Sequence, residues 1–282
     1  MTKQMSGETN TGDRFVRLDD GDMHIREDGK KDAPAVLLIH GAAGGLAIWD
    51  PVVPLLADAF RVIRADLLGH GRSTTPAGGF DIATQARRVG AALDRLGVGR
   101  LMVVGHSTGC AVATALAEQR PGTVTALALI DMGPTPESKI PQRLLERLLL
   151  TRFPGRVLWR LYRLQSADGI RKALRAACVR PAEFPDAVVE GVVRTTHRSF
   201  TGTMRAPLDY IAQRSLTDRL AALDLPVLVV FGADDPRWRP SSAAAYRTVP
   251  RTRVEMLPGV GHIPMMEDPQ ATGTLLLDFA GR

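Results

Sequence analysis

Short apolar runs alternate along this chain with stretches whose apolar residues recur at helical spacing. Residues 35–40 (AVLLIH), 60–66 (FRVIRAD), 101–106 (LMVVGH), 123–131 (TVTALALID) and 226–232 (PVLVVFG) are short, continuous and rich in β-branched side chains. Such runs suit strands buried on both faces of a parallel sheet. Between them, 46–58, 83–96 and 108–119 read as helices; in 83–96 the apolar positions Val89, Leu93 and Leu96 share one face. A helix near 240–248, a strand at 253–257 and a last helix at 269–280 repeat the rhythm. At the start, 14–18 and 23–27 flank Asp19-Asp20-Gly21 and predict a hairpin. Strands alternating with helices mean βαβ units, hence an α/β fold with a mostly parallel, doubly wound sheet.

The rhythm stops between 133 and 217, where the sequence is Arg- and Leu-rich, broken by prolines and without a buried-strand pattern. It reads as helical sequence inserted between two strands. The predicted organisation is a flexible N-terminus at 1–12, a core formed by 13–133 and 218–282, and an inserted helical unit at 134–217.

Composition narrows the class. Of 282 residues, 45% are hydrophobic and 23% charged, an ordinary globular balance that excludes disordered and low-complexity scaffolds. No apolar run approaches the roughly 18 residues a membrane span needs, and the polar start MTKQMSGETNTG carries no secretory h-region. Cys110 and Cys178 make neither a disulfide framework nor a metal-ligand spacing, so a cytoplasmic setting is expected. No metal and no cofactor is expected: His, Cys, Asp and Glu show no ligand spacing, and a dinucleotide-type Gly-x-Gly-x-x-Gly is absent.

The sharpest chemical signal is Gly105-His106-Ser107-Thr108-Gly109, where a strand turns directly into a helix. A tight turn there lifts one hydroxyl off the end of the sheet, and side chains at the flanking positions would collide with strand and helix. The bland alternative is a glycine-rich turn with a capping serine. A serine hydroxyl needs a base, and the base an orienting acid. His262 lies in LPGVGHIPMMEDP between the last strand and the last helix, and Asp235 in FGADDP follows the preceding strand. Loops at strand C-terminal ends are where an open α/β sheet places its ligands.

Four segments together resemble the α/β-hydrolase fold superfamily, in its compact cofactor-free branch of serine esterases and C–C hydrolases, over about residues 14–280. They are His40-Gly41 after a buried strand, Asp66-Leu67-Leu68-Gly69-His70-Gly71-Arg72-Ser73, the Ser107 elbow, and Gly261-His262-Ile263-Pro264 running on to Glu267 and Pro269. The resemblance implies a nucleophile at Ser107, a general base at His262 and an orienting acid at Asp235, with Asp234 one residue of loop slip away. It implies an oxyanion hole made by the backbone N–H groups of Ala42 and Thr108. It implies that 134–217 is a helical cap, with His40, Trp159, Trp238 and Met265 bordering the substrate pocket. His40, His70 and His106 are otherwise expected to be structural, and Asp66 and Arg72 to organise their own loop.

The expected activity is hydrolysis of a carboxylic ester or lactone of a small, largely apolar molecule through an acyl-enzyme. C–C cleavage next to a ketone needs the same residues, but that subgroup places Trp after the catalytic His and a Gly- and Ser-rich segment after His-Gly. Here those positions are Ile263 and Ala42-Ala43. A ligand-binding or cyclase-like member of the same fold is the third alternative. The expected partner is a small molecule, with no nucleic acid, and the chain a monomer or homodimer.

The net charge of +6 is unevenly placed: 134–219 holds 16 Lys+Arg against 8 Asp+Glu, leaving 20 against 22 elsewhere. A positive rim that steers anionic substrates is therefore expected around the site. In RVLWRLYRL (156–164), Arg156, Arg160 and Arg163 share one face and Val157, Leu161 and Leu164 another. The stretch reads as a cap helix with a solvated arginine face, and membrane association is not expected.

Overall fold

The computed structural model describes residues 12–142 and 144–281. Eight strands form one sheet in the order β1-β2-β4-β3-β5-β6-β7-β8. They are β1 (Gly12–Leu18), β2 (Gly21–Asp28), β3 (Ala35–Ile39), β4 (Arg61–Ala65), β5 (Leu101–His106), β6 (Val124–Ile130), β7 (Val227–Gly232) and β8 (Thr252–Leu257). The expected hairpin is β1–β2; β2 pairs antiparallel with β4, and all later pairings are parallel. The expected flexible segment 1–12 lies outside the described residues, except Gly12, which opens β1.

Helices cover both faces of the sheet. One core packs Ile63, Val103 and Leu129 against α2 (Ile82–Arg95) and α3 (Thr108–Gln119). The other packs Leu38, Val104 and Val230 against α1 (Val53–Leu56) and α11 (Pro269–Ala280), with α10 (Pro264–Glu267) before it. The single helix expected at 46–58 is instead a 3₁₀ turn, Leu46–Trp49, followed by the one-turn α1. Pro51 and Pro54 supply no N–H for a continuous helix, which explains the break. Residues Pro240–Thr248 likewise coil as 3₁₀ rather than α.

Between β6 and β7 come α4 (Leu144–Leu149), α5 (Gly155–Arg163), α6 (Ala167–Arg175), α7 (Asp186–Arg194), α8 (His197–Gln213) and α9 (Leu216–Leu223). A division between 217 and 218 falls inside α9, whose Leu216 and Leu220 are buried in the main core. Helix α5 docks through Trp159, which stacks on Phe200 of α8 at 4.1 Å and donates its indole N–H to the Thr195 carbonyl at 2.9 Å. That docking turns Val157, Leu161 and Leu164 outward together with Arg156 and Arg160, while Arg163 is half-buried, so the solvated face is not arginine alone.

Candidate active site

The turn from β5 into α3 holds Ser107 at φ 50° and ψ −120°, a conformation an L-residue adopts only under constraint. The constraint is close packing. A Cβ on Gly105 would lie 2.4 Å from the Gly109 carbonyl oxygen, and one on Gly109 2.4 Å from that of Ile39. Both positions therefore require glycine, for the reason the sequence suggested.

Three side chains from three loops meet here. The Ser107 hydroxyl lies 3.2 Å from His262 Nε2, and His262 Nδ1 lies 2.9 Å from Asp235 Oδ2. Asp235 is 3% exposed; its other oxygen accepts the N–H groups of Arg237 at 2.6 Å and Trp238 at 3.2 Å. Burial alone would raise this carboxyl, but His262 and the two N–H donors hold it below the usual range, so it is an anion. Asp234 points elsewhere: it is exposed and accepts the Gly259 N–H. A carboxylate on Nδ1 places the proton there and leaves Nε2 basic toward Ser107.

Backbone donors stand ready beside the serine. Among the described residues, the N–H groups of Ala42 and Thr108 have no acceptor within the protein. Gly41 packs so closely on the elbow that a Cβ there would lie 3.1 Å from Ser107 Cβ. His40 shapes this loop: its Nδ1–H donates to the Gly41 carbonyl at 2.7 Å and its Nε2 accepts the Leu67 N–H at 3.0 Å. Asp66 organises its own loop, accepting from Leu46 N–H, Arg72 N–H and His24 Nδ1.

The four pocket candidates, His40, Trp159, Trp238 and Met265, are all buried, at 0, 3, 2 and 0% exposed. Trp159 is occupied by α8 and Trp238 by the main core, while His40 has both ring nitrogens bound to backbone. Cys110 is a buried thiol, with Sγ 3.1 Å from the Gly105 carbonyl oxygen, and burial raises it far above the range of a nucleophile.

Two residues the sequence reading gave no role prove central. Glu267 accepts the N–H groups of Val179, Arg180 and Gly261 on Oε2 and that of Ile263 on Oε1. It thus grips both neighbours of His262 and ties that loop to the helical segment, which explains the glutamate in the Gly-His-x-Pro-x-x-Glu pattern. Asp131, at the end of β6, is fully buried with φ 53° and accepts the Gly232 N–H at 2.7 Å. Burial, then the Asp235 charge, pushes its carboxyl well above the usual range, so it keeps its proton beside the anion. Its position just after a buried strand, on the same edge as Ser107, was the available signal.

His106, Asp131 and His262 each bring a ligand-type atom within 4.8 Å of the others. His106 spends Nε2–H on the His262 carbonyl at 2.7 Å, and His262 spends both nitrogens on Asp235 and Ser107. The cluster is therefore a hydrogen-bond network, with only His106 Nδ1 and Asp131 Oδ2 left over.

These buried groups make stability pH-dependent. Burial first, then a neighbouring histidine, pushes His70 and His106 down to about 3. An unfolded chain protonates both below about pH 6.5, while the folded protein does not. Their contribution is complete above that pH and is lost as pH falls toward 3. Asp131 works in the opposite direction and offsets one histidine. The net expectation is a loss that approaches about 1.4 kcal/mol per pH unit between pH 6 and pH 5. Urea unfolding at pH 7, 6 and 5 checks it; an unchanged midpoint would contradict it.

Comparison with known proteins agrees with this architecture. The α/β hydrolase fold family matches residues 34–269. An uncharacterised protein of Mycobacterium tuberculosis is 30% identical over 256 residues, covering 84% of this chain and 72% of its own. A putative carbamate hydrolase of Variovorax paradoxus is 31% identical over 265 residues, covering 92% and 96%. The crystal structure of Cfl2 from Burkholderia cenocepacia superposes with a TM-score of 0.77 at 26% identity, covering 95% of each chain. With a doubly wound sheet, a strained serine turn and a family match spanning most of its length, the chain belongs to the α/β-hydrolase fold family.

Proposed function

We propose that the protein is a serine hydrolase that cleaves a carboxylic ester or lactone through an acyl-enzyme. The observation that carries this reading is the unbroken hydrogen-bond line Asp235–His262–Ser107, at 2.9 and 3.2 Å. Ser107 Oγ attacks the carbonyl carbon as His262 Nε2 takes its proton. The Ala42 and Thr108 N–H groups receive the oxyanion. The intermediate collapses, and the leaving alcohol takes the proton back from Nε2. Water, deprotonated by His262, then releases the acid and restores Ser107. Asp235 holds the imidazole tautomer throughout and stabilises the imidazolium. The likeness to a protein named as a putative carbamate hydrolase supports attack at an acyl carbon. The helical segment between β6 and β7 would act as the cap over this site. A panel of p-nitrophenyl esters of increasing chain length tests the reading: turnover above the Ser107→Ala background is the expected result.

Substrate charge is the second element. Lys139, Arg147 and Arg205 line a cavity of about 360 Å³ with Ile140, Met204 and Leu208, and among the described residues no carboxylate lines it. Two of its lining residues connect toward the site: Lys139 bridges to Trp238, whose N–H binds Asp235, and Met204 follows Thr203, whose carbonyl accepts from Thr108. Burial, then Arg237, pushes Lys139 down to about 8, which leaves it mainly cationic at neutral pH. Raising salt from 0.02 to 0.5 M is expected to lower kcat/KM for an anionic ester severalfold and leave a neutral ester unchanged. Equal salt dependence for both would refute the steering role.

A further inference from the structure

Of the eight large hydrophobic side chains that stand exposed among the described residues, seven lie between β6 and β7 and one, Phe15, elsewhere. Three of the seven follow one line along α5 and its C-cap, Val157 at 45%, Leu161 at 57% and Leu164 at 72% exposed, and Phe153 at 79% stands just ahead of the helix. The spacing of the three keeps them within one quarter of the helix circumference. Water-facing aliphatic side chains in a continuous row cost free energy unless something covers them.

The chemistry beside the row says what would cover it. Arg156, Arg160 and Arg163 flank the stripe, and the stretch 147–166 holds five arginines and no Asp or Glu. None of the guanidinium groups of Arg156, Arg160 and Arg163 pairs with a carboxylate among the described residues. A second copy of the chain, docked two-fold on this face, would bring arginines against arginines, which disfavours self-association. An anionic lipid surface satisfies both features: acyl chains receive the leucine row while phosphate groups meet the arginines. Trp159 and Phe200 anchor the helix from beneath, so the stripe is presented on a fixed support rather than a loose end. No helix among the described residues is long and apolar enough to cross a membrane, so contact would be parallel to the surface.

We propose that the apolar stripe of α5 and the arginines beside it dock this protein on an anionic membrane surface. This reverses the expectation drawn from the sequence, and it stands independently of the hydrolase reading. The test is co-sedimentation of the full chain with vesicles of phosphatidylcholine alone and of phosphatidylcholine mixed with phosphatidylglycerol. Binding to the anionic vesicles only, weakened by salt, is expected. It should fall at least tenfold in Leu161→Ser/Leu164→Ser and in Arg156→Glu/Arg160→Glu, both with wild-type circular dichroism and Tm. Three outcomes would overturn the proposal: no binding to either vesicle, binding indifferent to both variants, or a wild-type dimer that the leucine variant converts to monomer.

Discussion

Replacing Ser107 by alanine is expected to lower kcat/KM for the best p-nitrophenyl ester by at least about 10³-fold, with fold and Tm retained. The hydroxyl is the only atom removed. Ser107 is partly exposed at the turn, and its strained backbone is imposed by Gly105 and Gly109 rather than by its own side chain. The variant should therefore keep the site's shape and still bind substrate. The loss belongs in kcat, because the bond Oγ forms exists only on the way to the acyl-enzyme. A fall in activity accompanied by a lower Tm or a large rise in KM would point to misfolding instead. Equal slow turnover by both proteins would remove the acyl-enzyme from consideration.

Asp235→Asn is the second large effect, with kcat expected to drop by about 10²–10⁴-fold. The amide preserves volume and can still accept from Arg237 and Trp238, so the turn should survive. What changes is the His262 tautomer: a donor NH₂ facing Nδ1 favours a proton on Nε2, the wrong nitrogen for taking one from Ser107. Asp234→Asn is the control, expected within about twofold of wild type, since that side chain is exposed and serves Gly259. If the Asp234 variant were the crippled one, the assignment of the acid would be wrong.

Sequence carried the sheet and the serine turn because both are local. The apolar runs became β3, β5, β6 and β7 within a residue or two, and Gly105, Ser107 and Gly109 stand within one turn of chain. The choice between Asp234 and Asp235 was not legible, since it depends on how a turn after β7 aims two adjacent side chains. The packing partners of the two tryptophans were not legible either: Trp159 stacks on Phe200 and Trp238 lies under Lys139, contacts between residues far apart in the chain. Helix α5 shows the same limit. Its two faces were visible in the pattern, yet which face meets water was decided by α8, far along the chain.

The central claim is that Ser107 is a nucleophile activated by His262. Labelling the folded protein with a fluorophosphonate and reading intact mass tests it most directly, because no substrate need be known. The account predicts one adduct per chain, mapping to the peptide containing Ser107, absent in Ser107→Ala and slowed at least about 10²-fold in His262→Ala. A folded, unlabelled protein, or an adduct elsewhere that survives Ser107→Ala, would contradict it.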